Sequence, residues 1–502
     1  MMPLTMKSST LLGLLTAAGA ILGLLPVQSA QAAVPGIAGT SFNLVASADF
    51  TSQPDGASIY SWGYGCDPTA YQPAFAPFNG TCPQMQLPGP TLIVTAGTTF
   101  TVTLTNNLPP AAGNTSIVFP GLTVTTNGTG VAGLLTQEAA NGACNPLVNT
   151  GCNTVTYTID GTNLQPGTHS YYSGTQPELQ IEMGLFGAII VIPATPQAGC
   201  DPLAANDFRL AGSAYDHPAT CYDREYLFQL SEMDSRIHDQ ALAQVQSCPV
   251  GPCPTVKVTT EPYHANYFLL NGRSMPDVMD TSYSPGYVHQ PYNANPHMHP
   301  GELVLMRIIG QGRIQHPFHF HGNHARVLAR DGNLLLSATD PLSLAGPLLF
   351  TTPSVSGQTQ DQIFTWTGKG LNWDVYNHHR GDGSTCTPDA NGYHSRVGSP
   401  NFGEWCADHL KPIPVTPPDP TIVANGQWYS GTPYLGLQNA HRFTSTNEPP
   451  GTLNQNPPAE SGYAYMWHSH NEREITTNDV FPGGMLSMLL IDPQAWNIDE
   501  KL

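Results

Sequence analysis

Two short stretches place histidines at spacings that suit a metal ion. One reads His316-Pro-Phe-His319-Phe-His321-Gly-Asn-His324, the other Trp467-His468-Ser469-His470. In an extended strand, residues two apart project to one face. His319 with His321, and His468 with His470, therefore each present two imidazoles together. Such pairs suit copper, with zinc as the alternative. A lone histidine is well explained as a buried ring satisfied by backbone, but two H-x-H pairs bounding one domain make metal binding the stronger reading. His297-Met298-His299 is a further pair flanking a thioether. No partner cluster accompanies it, and it reads as a surface turn. The chain carries no general-base constellation that would suit a metal enzyme of another reaction type.

Strands must carry these pairs. Thr91-Leu-Ile-Val-Thr, Thr99-Phe-Thr-Val-Thr-Leu-Thr and Thr154-Val-Thr-Tyr-Thr-Ile alternate with the two-residue period of a sheet buried on one face. Gly-Pro and Asn-Asn pairs punctuate them. The first half closes on Gly187-Ala-Ile-Ile-Val-Ile-Pro193, and the second runs from Tyr226-Leu-Phe-Gln-Leu to Leu486-Ser-Met-Leu-Leu-Ile-Asp-Pro493. The ends of the two halves read alike, which points to a duplicated β-sandwich. The expected architecture is all-β, with Greek-key sandwiches over about 40–195 and 224–494 joined by a connector at 196–223. Within the second, about 333–460 loosens into Pro, Asn, Gly and Ser and reads as a loop-rich insertion.

Composition narrows the function classes. Among 502 residues, Lys+Arg 17 against Asp+Glu 36 leaves a net charge of −19. No basic surface exists to neutralise phosphates, so nucleic acid is excluded as a partner, as is a polybasic membrane contact. Residues 1–32 read as a signal peptide: Lys7 supplies the charge, Leu11 to Leu25 the apolar stretch and Ala30-Gln31-Ala32 the cleavage site. No later run is long and apolar enough to span a membrane. The expected product is periplasmic or extracellular. Ten cysteines fall in neighbouring twos: Cys66/Cys82, Cys144/Cys152, Cys200/Cys221, Cys248/Cys253 and Cys386/Cys406. In an oxidising compartment nearest-neighbour disulfides are the simplest scheme, although spacing alone leaves the connectivity open.

Leu87-Pro-Gly-Pro-Thr, Gly97-Thr-Thr-Phe-Thr-Val-Thr-Leu-Thr-Asn-Asn-Leu, His316-Pro-Phe-His-Phe-His-Gly and His468-Ser-His with the downstream Gly484-Met485 resemble the multicopper oxidases of the cupredoxin fold. The likeness covers nearly all of the chain after the leader except the insertion, and is nearer to two-domain members than to three-domain laccases. It implies that His316 matches a type 1 copper ligand, His319 a type 2 ligand, and His321, His468 and His470 type 3 ligands. The chain departs from the pattern elsewhere. The first motif reads Ser116-Ile117-Val118-Phe119-Pro120-Gly121, with Val118 and Pro120 at the ligand positions. In the second, Tyr172 and Gly174 stand where histidines belong, and His169 lies three residues early. In the fourth, Ser469 replaces the type 1 cysteine, Glu474 falls at the next type 1 histidine, and Met485 is displaced by an apparent insertion.

A hydroxyl cannot replace the thiolate of a blue site, so no ordinary type 1 centre is expected and a laccase cycle should fail at its first step. The surviving histidines could hold one copper or two. Tyr172 is either a further ligand or a tyrosine filling the ligand's space. His324, Glu472, Glu474 and Asp479 are candidate orienters of the metal ligands or plain solvated side chains. The leading expectation is an exported copper protein with an altered centre and a residual oxidoreductase role. The alternative is a non-catalytic structural or binding protein on the same scaffold. Substrate, metal identity and stoichiometry stay open, as does the oligomeric state; two-domain relatives often assemble as trimers with the cluster between subunits.

Overall fold

The computed structural model describes residues 34–68, 75–76, 82–127, 129–141, 151–195, 197, 200, 212–375, 385–395, 403–412, 431–435, 461–492 and 498. The expected signal peptide and Cys144 lie outside these residues.

The fold is all-β, with two cupredoxin-like sandwiches. In the first, one sheet orders Gly167–Tyr172, Phe186–Ile192, Leu92–Thr95, Gly36–Ala38 and Phe75–Ala76. The other orders Ser58–Cys66, Ser41–Ser52, Phe100–Asn106, Thr154–Ile159 and Val124–Thr126. The threonine-rich alternation explains the pairing. Phe100, Val102 and Leu104 face inward beside Ile159, Tyr157 and Val155 in register, while the intervening threonines face solvent. Phe186–Ile192 is apolar throughout because both its faces are covered. Ile189 and Val191 enter the first core, and Ala188 and Ile190 pack with Leu227 and Ile309 of the second half.

In the second sandwich, one sheet orders Tyr267–Leu270, Arg224–Met233, Leu303–Gly310, Thr359–Thr365, Ala325–Arg330 and Asn333–Leu334. The facing sheet orders His297–Met298, Leu486–Ile491, Ser461–Ser469, His316–Phe320 and Thr351–Ser354. Both histidine motifs therefore lie on adjacent strands of one sheet. Their opposite face feeds an aromatic core in which Phe318, Phe320, Phe364 and Trp467 meet edge to face and Phe228 packs tilted against Phe318 and Trp467.

The segment expected as an insertion is in part sandwich. Thr351–Ser354 and Thr359–Thr365 are strands of the two sheets, the latter lying between Leu303–Gly310 and Ala325–Arg330. Its buried residues include Gln360, Asp361 and Gln362. Gln360 and Gln362 donate to the Pro353 carbonyl and to Thr352 Oγ1 of the facing sheet, while Asp361 turns to the polar joint with the first sandwich, accepting from Thr168 at 2.6 Å and from Tyr215 at 2.5 Å. A strand that buries polar groups has no apolar period to read.

Four cysteine pairs are bridged as nearest neighbours: Cys66–Cys82, Cys200–Cys221, Cys248–Cys253 and Cys386–Cys406, with Cα atoms 5.2–5.8 Å apart. Cys152 is also disulfide-bonded. Among the described residues no helix is long and apolar enough to cross a membrane.

Trp467 is fully buried at the centre of the second core. Trp467→Ala should cost about 3–5 kcal/mol. The measurement is chemical unfolding followed by tyrosine and far-ultraviolet signals. A midpoint within error of the wild type would contradict this packing.

Candidate metal centre

Antiparallel pairing of His316–Phe320 with Ser461–Ser469 sets Phe318 opposite Ser469, His319 opposite His468 and Phe320 opposite Trp467. Alternation then divides the two strands. Phe318, Phe320, Trp467 and Ser469 face the core, and His319 and His468 share the outer face. His321 follows on that face. Gly322 takes φ +104 immediately afterwards, and a Cβ there would sit 3.2 Å from the Tyr465 ring, so only glycine fits the turn that ends the motif.

One ligand atom each of His319, His321 and His468 can be chosen so that all lie within 4.8 Å of one another. His321 Nε2 and His468 Nε2 face each other at 3.0 Å. His470 stands at the rim, exposed, its ring 4.8 Å from that of His319 and 5.8 Å from that of His468. The other ring nitrogens are held. His468 Nδ1 donates to the carbonyl oxygen of Ser469 at 2.7 Å, which leaves the lone pair of the neutral ring on Nε2, and His319 Nδ1 lies 2.7 Å from Thr351 Oγ1. Burial, with the neighbouring imidazoles adding to it, holds His319 and His321 down to about 4. Burial also lowers His468. His319 and His321 are therefore neutral at pH 7, the form that binds a metal. Phe350, half exposed, flanks both His319 and His324.

His316 is set apart from this group, among the described residues, on the core side of the same strand. Its Nδ1 lies 2.8 Å from Glu474 Oε2 and its Nε2 2.8 Å from Glu232 Oε2, all three side chains being buried. Ser469 Oγ donates to the same Glu474 oxygen at 2.5 Å. Burial by itself would lower the imidazole, but the hydrogen bonds and charges of Glu232 and Glu474 outweigh it and raise His316 to about 9. An imidazolium between two carboxylates thus occupies the place next to Ser469. Met485, although separated in sequence, returns to this point: its N–H donates to the Glu474 carbonyl and its carbonyl accepts from the Ser469 N–H. The extra residues between close on themselves through the turn Glu472–Ile475 and the Thr477–Val480 bridge.

The remaining candidates go elsewhere. Val118 and Tyr172 bridge one another, and Tyr172 packs among Ile59, Leu87, Phe186, Met233, Tyr267 and Leu269. A Cβ on Gly174 would meet Val118 at 2.7 Å. His297 pairs with Asp492 at 2.8 Å and His299 with Glu302 at 3.0 Å. Glu472 is exposed, and Asp479 pairs at the surface with Arg473. Glu232 and Thr351 were missed by sequence reasoning. Neither adjoins a histidine in the chain, and only the folded sheet brings them near.

A profile of the multicopper oxidase family matches residues 78–196, and a second matches residues 260–351. Over these two stretches the chain is similar to the multicopper oxidase family. Among solved structures it is similar to the multicopper oxidase mgLAC, at 16% identity and TM-score 0.46 over 91% of this chain and 87% of that one. It is similar too to the blue copper oxidase of Nitrosomonas europaea, at 15% identity and TM-score 0.45 over 89% and 85%. The copper nitrite reductase of Nitrosomonas europaea follows at 16% identity and TM-score 0.37, over 65% and 84%. No curated protein matches the chain. Within the family, copper is the implied metal, and the neutral, mutually facing imidazoles of His319, His321 and His468 fit it. The doubly paired His316 does not.

Because His316 is raised from 6.5 to about 9 in the folded state, its stabilisation is fully present below about pH 6.5 and is lost as pH rises through 9. The loss should be on the order of 3 kcal/mol. Urea midpoints measured from pH 6 to pH 10 should fall for the wild type. For His316→Gln the fall over that interval should be smaller and start from a lower level, the remainder including buried Glu182, whose pKa is raised to about 8.

Proposed function

We propose that the protein is an exported copper-binding member of the multicopper oxidase family whose centre lacks type 1 copper. The observation that carries this reading is the convergence of His319, His321 and His468 from two adjacent strands, with His470 at the rim. These residues would hold the metal, and copper bound there supplies one-electron redox chemistry. The chain's own part is to keep the rings neutral and aimed. Thr351 and the Ser469 carbonyl fix two of them by their second nitrogens, and Phe350 covers one side. The leader-like residues 1–32 and the bridged cysteines support export.

Laccase turnover is not part of the proposal. Ser469 offers no thiolate, and Glu474 and His316 are already committed to one another. That commitment favours a second reading, in which the scaffold persists as a non-catalytic extracellular protein. A carboxylate–imidazolium–carboxylate network fills the interior without any metal. Metal content separates the two.

Protein matured through export should take up copper(II) and show a paramagnetic resonance spectrum with nitrogen hyperfine structure. It should lack the thiolate-to-copper absorption of a blue site and should not turn over phenols. His319→Ala/His468→Ala should abolish uptake, and zinc offered in competition identifies the preferred metal. Copper retained by the double variant, or never taken up by the wild type, hands the case to the scaffold reading. Fast phenol oxidation would overturn both.

A further inference from the structure

A second group of metal-ligand side chains lies outside the histidine centre, in the segments 385–395 and 403–412. Ligand atoms of Cys386, His394 and Cys406 lie within 4.8 Å of one another, and those of Cys386, Glu404 and His409 do likewise. Cys386 belongs to both groups, so the two share one corner. In the oxidised chain the sulfurs are bonded to each other and cannot bind a metal. We propose that opening the Cys386–Cys406 disulfide converts this corner into a zinc site, with Cys386, Cys406 and His394 as ligands and His409 as the fourth.

The chemistry balances with a dithiol as the reductant. Its two electrons and two protons open the S–S bond to two thiols, the dithiol itself closing to a disulfide. Zinc then displaces the two thiol protons as the thiolates coordinate. Two thiolates with two imidazoles form a tetrahedral set that zinc favours, its bonds being about 2.3 Å to sulfur and about 2.0–2.1 Å to nitrogen. Such bonds space the donors about 3.3–3.8 Å apart, so the two sulfurs, now bonded, separate, and His409, grouped with Cys386 alone of the other three, moves in.

The frame does not depend on the disulfide for its shape. Pro388 bridges His394, and Tyr393 bridges Trp405 and packs against its ring at 5.2 Å. The His394 N–H donates to the Glu404 carbonyl at 2.9 Å, and the Thr387 N–H donates to His394 Nδ1 at 2.9 Å, a bond the ring gives up when it ligates. The short turn Cys406–Asp408 sets His409 three residues after Cys406, and Glu404 pairs with His409 Nδ1 at 2.9 Å, the carboxylate–histidine contact that orients a ligating ring. The unit is fastened to 369–374 by Asp374 accepting from the Leu410 N–H at 2.9 Å and by Lys369 over the Trp405 ring at 4.8 Å. These contacts keep the donors together when the covalent link opens.

The test uses the full exported protein, oxidised or treated with a dithiol, then desalted and titrated with zinc or cobalt(II). The reduced wild type should bind one more zinc than the oxidised wild type. Its cobalt form should show sulfur-to-metal charge transfer with tetrahedral absorption. Zinc should shield Cys386 and Cys406 from alkylation, read by peptide mass spectrometry. His394→Ala/His409→Ala should lose the extra zinc and the shielding, while His319→Ala/His468→Ala keeps both, so failure here is distinct from failure of the copper reading. Equal zinc content before and after reduction, or shielding that survives in His394→Ala/His409→Ala, would overturn the proposal. Should that variant misfold, the alkylation pattern of the reduced wild type with and without zinc still decides it.

Discussion

The pairing of His316–Phe320 with Ser461–Ser469 is the constraint on which both faces of the second sandwich depend. One register sends Phe318, Phe320 and Trp467 into the core and His319 and His468 to the outer face. A slip of one residue would exchange these sets, exposing three large aromatic rings and burying imidazoles among phenylalanines. The hydrophobic cost of that exchange protects the alignment of the histidines. Their convergence therefore follows from core packing, with no metal required to assemble it. His316 and Ser469 are on the inner side by the same alternation, so a single strand pair supplies two chemically different sites on opposite faces.

The inner site shows how buried polar groups can satisfy one another. A glutamate at 474 would by itself be a buried charge. Here its neighbours answer it. Ser469 donates to Glu474, Glu474 and Glu232 flank His316, and the imidazole is driven to its charged form by the carboxylates on either side. Removing any one partner strands a buried ionised group, which costs more than the pair contributes when intact. Both ring nitrogens of His316 are thus taken up by carboxylates.

The sequence shows most of the scaffold and half of this arrangement. Period-two threonine strands, the two H-x-H pairs and the neighbouring cysteines are local patterns, and each has a direct physical meaning in a folded sheet. What escaped is long-range or polar. Glu232 meets His316 across 84 residues of chain. Thr359–Thr365 buries Asp361 against Thr168, Tyr215 and Arg307 on one face and Gln360 and Gln362 against Pro353 and Thr352 on the other, so its strand carries no apolar alternation. Met485 looked displaced because its loop had lengthened, yet backbone hydrogen bonds to Ser469 and Glu474 bring it back. Spacing along the chain measures neither of these closures.

The first sandwich completes the same logic. Where the resemblance would place ligands, Val118 and Tyr172 pair through their backbones, Gly174 leaves room for Val118, and Tyr172 packs against Met233 and Tyr267 of the second half. The Tyr172 contacts join the two halves. A histidine restored at 172 would have to displace that packing, and one restored at 174 would drive its Cβ to 2.7 Å from Val118. Steric fit therefore opposes a histidine at either place, and through Tyr172 the first sandwich packs as a support against the second.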